Sequence, residues 1–203
     1  GKMSRPYFFT ENARPGVNLH ENLDPETSAQ IIVSHITDGL RLAKENGLPQ
    51  ILQSFIAEHH GTEIAGYAFF HQAVKDAGGD ESQVDIACFS YPGPKPQSKE
   101  TAILMLADAS EATIRAVQPE SAQEIDKLVR KTIASRMESG QFDECDITMR
   151  DIEQIRIAFN EVLQGVAHQR VKYPASVEEN TPPNEERLSP LPLSMQGQPL
   201  KDR

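Results

Sequence analysis

Apolar residues return every three or four positions over most of the chain, and no long stretch alternates apolar with polar. That is the period of helices, not of strands. Asp24-Pro25 sets the first helix start, with Asp24 as N-cap and Pro25 at the first helical position. Ile32, Ile36, Leu40 and Ala43 follow at helical spacing, and Gly47 stops the helix just after Asn46. Pro49 opens a second helix, through Leu52, Phe55 and Ile56 to His60, which Gly61 ends. A third is predicted over about 63–77, closed by Gly78-Gly79. Pro92, Pro94 and Pro96 alternate through residues 89–97, so no helix forms there. Ser98 caps a fourth helix over 99–117, a fifth covers 120–138 and ends at Gly140, and a sixth runs from near Thr148 to about Gln169. The fold class is all-α.

Two regions fall outside this pattern. Residues 1–23 read as irregular, with Asn12, Pro15, Gly16 and Asn18 as turn formers. Residues 175–203 are rich in Pro, Glu and Ser and poor in large apolar side chains, and are expected to be a disordered tail. The domain therefore spans 1–174, and no internal repeat divides it.

Composition narrows the function classes. The chain carries a formal net charge of -10, which argues against DNA or RNA backbones as partners, since these need clustered Lys and Arg. It leaves room for a small anionic substrate whose phosphates meet metal ions. Cys88 and Cys145 form no CxxC pair, so a reducing cytosol is the simpler setting. No run of about 18 apolar residues could cross a bilayer, and no signal peptide is visible. The first residue is Gly1, not Met, so we expect a piece of a longer chain whose upstream part carries further segments.

Candidate chemistry lies in nitrogen and carboxylate side chains set inside apolar helices. His35, in IIVSHITDGL, shares a helix face with Ile32, Gly39 and Leu42 and should point inward, as a hydrogen-bonded core histidine or as a ligand. His59-His60 closes the second helix, as a partner of the helix dipole or as a ligand pair. Neighbours on a helix point roughly 100° apart, so each would serve one ion of a close pair. Asp108 sits in AILMLADASEA, where a carboxylate needs a partner, either Arg115 or a metal. Taken together, three histidines and an aspartate on inward faces point to a site for Fe, Mn or Zn.

These residues match part of a known order. GK-MSRPYFFTEN resembles the end of an HDxGK motif, and SHITDGLRLA, LPQILQSFIAEHHGT, YPGPKPQSKETAI, LADASEA and HQRVKYP resemble the seven-transmembrane HD (PgpH-like) family. The resemblance covers about residues 1–174. It implies an HD-domain helical bundle that hydrolyses cyclic di-AMP to pApA. It implies two divalent transition metal ions, Fe or Mn, which activate a water for attack on phosphorus. His35, His59, His60 and Asp108 match the second half of the family's ligand order, with Asp108 closest to the metals. The first ligand histidine and the HD pair would fall before Gly1. On that reading residues 1–203 alone hold the metal pair poorly and are essentially inactive. The resemblance also implies a domain on the cytosolic face of a membrane-anchored parent, with homodimerisation left open.

The same likeness makes Lys2 the lysine of HDxGK, a candidate for substrate phosphate or for the transition-state charge. Arg5 and Tyr7 are candidates for phosphate and adenine, and Lys95 and Lys99 for a phosphate. Each also has a plain reading as a solvated or locally packed side chain. Asp38 is a candidate to orient a neighbour. His20, His71, His168 and Cys145 have no ligand-like setting. One rival reading is a cyclic di-GMP phosphodiesterase of the HD-GYP type. Against it, Gly66-Tyr67 is followed by Ala68 and lies one residue too close to the histidine pair. Others are a non-catalytic HD-type module that binds a nucleotide or partner, and a plain helical interaction domain that binds no metal.

Overall fold

The computed structural model describes residues 1–9 and 18–168. Six α-helices carry the fold: α1 Pro25–Glu45, α2 Gln50–Glu58, α3 Tyr67–Asp76, α4 Lys99–Val117, α5 Ala122–Glu138 and α6 Met149–His168. Their starts follow the expected chemistry. The Asp24 carboxylate accepts from the Thr27 amide at 2.8 Å. Ser98 and Thr101 form a reciprocal capping box on α4, and Ser121 accepts from the Glu124 amide on α5. Each cap satisfies amides that the first turn leaves without a helical acceptor. Gly47 closes α1 at φ +65, a conformation that side chains disfavour.

Before α1, short 3-10 turns span Lys2–Ser4, Pro6–Phe8 and Leu19–Asn22, in a region the sequence marked only as irregular. Among the described residues there is no strand, only an isolated antiparallel bridge between Ile64 and Ser90. The expected tail, 175–203, and most of HQRVKYP lie outside the described residues.

Three helix boundaries differ from expectation: α5 begins at Ala122 instead of 120, and the other two matter for the site. α2 ends at Glu58, so His59 and His60 stand on a turn. α3 begins at Tyr67 instead of near 63. The cause is tertiary: Ala65 donates to the Phe89 carbonyl at 2.6 Å and Tyr91 to the Glu63 carbonyl at 2.9 Å. Those bonds hold residues 63–65 extended, and Gly66 at φ +63 turns the chain into α3.

The core has two main parts. α4, α5 and α6 bury Leu106, Ile114, Ile125, Val129, Ile133, Ile152, Ile155 and Leu163 against one another. On the other side α1 and α3 enclose Ala29, Phe70, Val74 and Phe89. α2 packs on both α1 and α4 and joins the halves. Ile36, Ala65 and Tyr91 form a third, small cluster where α1 meets the bridged loops. The histidines lie beside it.

Candidate metal centre

His35 projects from the buried face of α1 and is 5% exposed. Its Nδ1–H donates to the Ile32 carbonyl at 2.6 Å. His59 does the same on the turn after α2, donating from Nδ1 to the Ile56 carbonyl at 2.9 Å. A carbonyl can only accept, so the proton of each neutral ring is on Nδ1 and the lone pair on Nε2. The two Nε2 atoms face each other 3.4 Å apart. Two lone pairs at that distance repel unless a cation lies between them. The spacing suits two imidazoles sharing one ion at about 2.0–2.1 Å from each. The backbone bonds behind the rings fix tautomer and orientation, as outer partners of metal-bound histidines do.

His60 completes the group. Ligand atoms of His35, His59 and His60 all lie within 4.8 Å of one another. The adjacent pair does not splay as neighbours inside a helix would, because α2 has already ended; the two rings are 4.1 Å apart, centre to centre. Tyr91 stacks on His60 at 4.2 Å and 12°, and meets His35 edge-on at 5.8 Å. Asp108 comes from α4, its Oδ2 3.9 Å from His60 Nδ1. Its side chain is 39% exposed, so it is not the buried charge that the apolar run suggested. It stands in the wall of a cavity of about 560 Å³ that also reaches His59, His60, Glu63, Tyr91 and Arg136. Arg115, the alternative partner, pairs with Glu111 at 2.8 Å and lines a second cavity together with Asp108.

The electrostatics favour bare imidazoles. Burial pushes His35 down to about 4 against the pull of the Ile32 carbonyl, and nearby His59 and Lys2 push the same way. Burial, then the neighbouring His59 and His35, takes His60 down to about 2. His59 is lowered by burial too, with Asp108 among the groups opposing. All three rings are therefore neutral at pH 7 and need release no proton to bind a metal. With His60 neutral, its 3.9 Å approach to Asp108 is not an ion pair. Burial also raises the Tyr91 hydroxyl. The donor set, three neutral imidazoles and a carboxylate, fits a divalent transition metal.

The remaining candidates divide. Lys2 lines a smaller cavity of about 190 Å³ with Phe9, His35, His60 and Asp108. Its ammonium lies 5.6 Å from the Phe9 ring centre. The preceding Gly1 packs so closely on α1 that a Cβ would fall 1.6 Å from the His35 carbonyl oxygen. Arg5 donates to Ser34 Oγ at 3.0 Å on the outer side of α1, and Tyr7 is 53% exposed. Lys95 pairs with Asp143 at 3.6 Å and Lys99 with Asp151 at 2.9 Å; neither lines the two cavities beside the histidines. Asp38 lies 3.8 Å from Arg41. Sequence reading passed over Tyr91, Glu63 and Arg136. Tyr91 opens the quoted YPGPKPQ segment, but only the bridge to residues 63–65 brings it onto His60.

A family model for the HD domain matches residues 8–113. The chain is 39% identical over 174 residues to the cyclic-di-AMP phosphodiesterase PgpH of Bacillus subtilis, covering 86% of this chain and 24% of that protein. To the Listeria monocytogenes enzyme of the same name it is 40% identical with the same coverage. An uncharacterised Synechocystis protein is 36% identical over 177 residues, 86% of this chain and 22% of that one. The chain thus spans about a quarter of the length of these relatives. Crystal structures of the L. monocytogenes PgpH HD domain superpose at 38% identity. The first has a TM-score of 0.74, covering 82% of this chain and 76% of that one. The second, in complex with cyclic-di-AMP, has a TM-score of 0.76, covering 81% and 75%.

Proposed function

The chain belongs to the HD domain family, and from that premise we propose that it is the catalytic domain of a metal-dependent phosphodiesterase that hydrolyses cyclic di-AMP to pApA. The observation that carries this is the meeting of His35 and His59 through unprotonated Nε2 atoms 3.4 Å apart, with His60 and Asp108 alongside. A relative of 38% identity solved with cyclic-di-AMP supports the choice of nucleotide. In the reaction a water oxygen bonds to phosphorus, one P–O3′ bond breaks, and the ribose 3′-oxygen leaves with a proton.

In this reading His35, His59, His60 and Asp108 are ligands to a pair of Fe or Mn ions. When bound, such ions lower the pKa of a water and take up charge on the phosphoryl oxygens. The backbone carbonyls of Ile32 and Ile56 hold the two histidine rings in the tautomer that leaves Nε2 free. Tyr91 closes one side of His60 and keeps water off that face. Lys2, beside His35 and Asp108, offers its ammonium to a substrate phosphate. Arg5 and Tyr7 are proposed to reach the nucleotide only at the outer edge of this site. Lys95 and Lys99 would have to leave Asp143 and Asp151 to do so. A place at the cytosolic face of a membrane belongs to the same proposal and rests on the resemblance to the seven-transmembrane HD family. No helix among the described residues is long and apolar enough to cross a bilayer.

The test is metal content and nucleotide turnover of the full-length protein. His59→Ala should lose at least one metal equivalent and reduce cyclic di-AMP turnover by about a hundredfold or more, the scale of losing a site's metal chemistry. Full turnover in His59→Ala, or faster turnover of cyclic di-GMP than of cyclic di-AMP by the native protein, would overturn the proposal.

A further inference from the structure

The turn carrying His59 and His60 is gripped by one remote segment. Past the pair, Gly61 sits at φ +53. The Thr62 amide then donates to Gln141 Oε1 at 3.0 Å, and Gln141 Nε2 donates to Thr62 Oγ1 at 3.1 Å. Gln141 is 2% exposed. The Glu63 carboxylate accepts from Arg136 Nη1 at 2.9 Å and from Ser139 Oγ at 2.5 Å. Residues 136–141, at and just past the end of α5, thus bind both residues that follow Gly61. The fit is close: a Cβ on Gly61 would fall 2.1 Å from Gln141 Oε1.

Gln141 and Ser139 meet the turn at Thr62 and Glu63, so their effect on the histidines passes through the backbone of 59–63. That backbone has weak support of its own. α2 has nine residues, too few to be stable alone, and it leaves Ile51 and Leu52 exposed. A turn after so short a helix would wander, and a ligand misplaced by about 1 Å is costly to a site of fixed geometry.

We propose that Gln141, aided by Arg136 and Ser139 through Glu63, is a positioning element that sets His59 and His60 at the spacing a metal requires. The inference rests on the proposed function, since it takes these histidines to be ligands. It predicts a role in metal affinity for Gln141 and Ser139, which line neither cavity beside the histidines.

The experiment is Mn²⁺ titration of the native protein with thermal unfolding in parallel. Gln141→Met keeps the volume and removes the amide. It should stay folded and bind Mn²⁺ about 10–100-fold more weakly, the usual loss when an outer partner of a metal site is removed. Gln141→Glu keeps the oxygen that meets the Thr62 amide and should recover most of that affinity. If Gln141→Met melts lower but binds Mn²⁺ as the native protein does, the amide is only a structural bond and the proposal fails. If Gln141→Met does not fold, Ser139→Ala decides, because Ser139 lies at the surface. It should weaken Mn²⁺ binding about two- to tenfold, the worth of one hydrogen bond, and an unchanged affinity overturns the proposal. A native protein that binds no Mn²⁺ fails at the earlier step and takes this inference with it. A native protein that binds while Gln141→Met binds equally well fails here alone.

Discussion

An imidazole that is to hold a cation must first be free of its own proton, and burial achieves this at His35 and His60. Their values fall from 6.5 to about 4 and about 2. Between pH 6.5 and those values the unfolded chain takes up protons that the folded chain refuses, so stability rises with pH across that window. The contribution is complete above about pH 6.5 and is lost as pH falls toward about 4 for His35 and about 2 for His60. Urea unfolding of the metal-free protein should show a slope of about 1 kcal/mol per pH unit for each such histidine between pH 6.5 and 5. His35→Asn should remove one histidine's share of it and leave that of His60, and a pH-independent midpoint in the native protein would refute the assignment. Tyr91 is the other residue whose surroundings decide its role. Tyr91→Ala should cost about 3–5 kcal/mol, as for other large aromatic truncations in cores, and should weaken metal binding by uncovering His60. His35 was legible in the sequence from its helical register with Ile32 and Gly39. Tyr91 was not, because its neighbour on the site is 31 residues away along the chain and reached only through the 63–65 bridge.

Helix starts are set by a few side chains acting within one turn, so they survive any change of tertiary context. Asp24-Pro25, Ser98 and Ser121 each mark a start that the structure contains. Ser98→Ala breaks a capping box and should lower stability by about 0.5–2 kcal/mol in chemical denaturation. A change below about 0.3 kcal/mol would mean that packing alone holds the start of α4. Helix ends beside the site behave differently. α2 stops before the histidines and α3 begins late, because Glu63 and Ala65 give their backbone groups to Tyr91 and Phe89 instead of to a helix. Propensity favoured a helix there, and tertiary hydrogen bonds outweighed it.

Over the whole molecule, the α4–α5–α6 core is the rigid partner against which the site is built. Leu106 and Val129 are 0% exposed at its centre. Leu106→Ala should cost about 2–5 kcal/mol by thermal or urea unfolding. Leu106 lies two residues from Asp108 on α4 and points into the core while Asp108 points to the cavity. The same substitution should therefore also loosen metal binding. Unchanged Mn²⁺ affinity in a destabilised Leu106→Ala would show that the site tolerates motion of α4.

The sequence by itself determined six helices and singled out four candidate ligands, His35 and Asp108 on helices and His59-His60 at the close of α2. Caps, prolines, glycines and a 3.6-residue period act over a few residues, so they can be read without knowing what lies across the core. Only the tertiary structure decided which groups meet. It drew His35 and His59 together across α1 and α2, laid Tyr91 on His60, and turned Lys95 and Lys99 away to Asp143 and Asp151. Charge pairing and ring contact depend on distance through space, and spacing along the chain does not encode that distance.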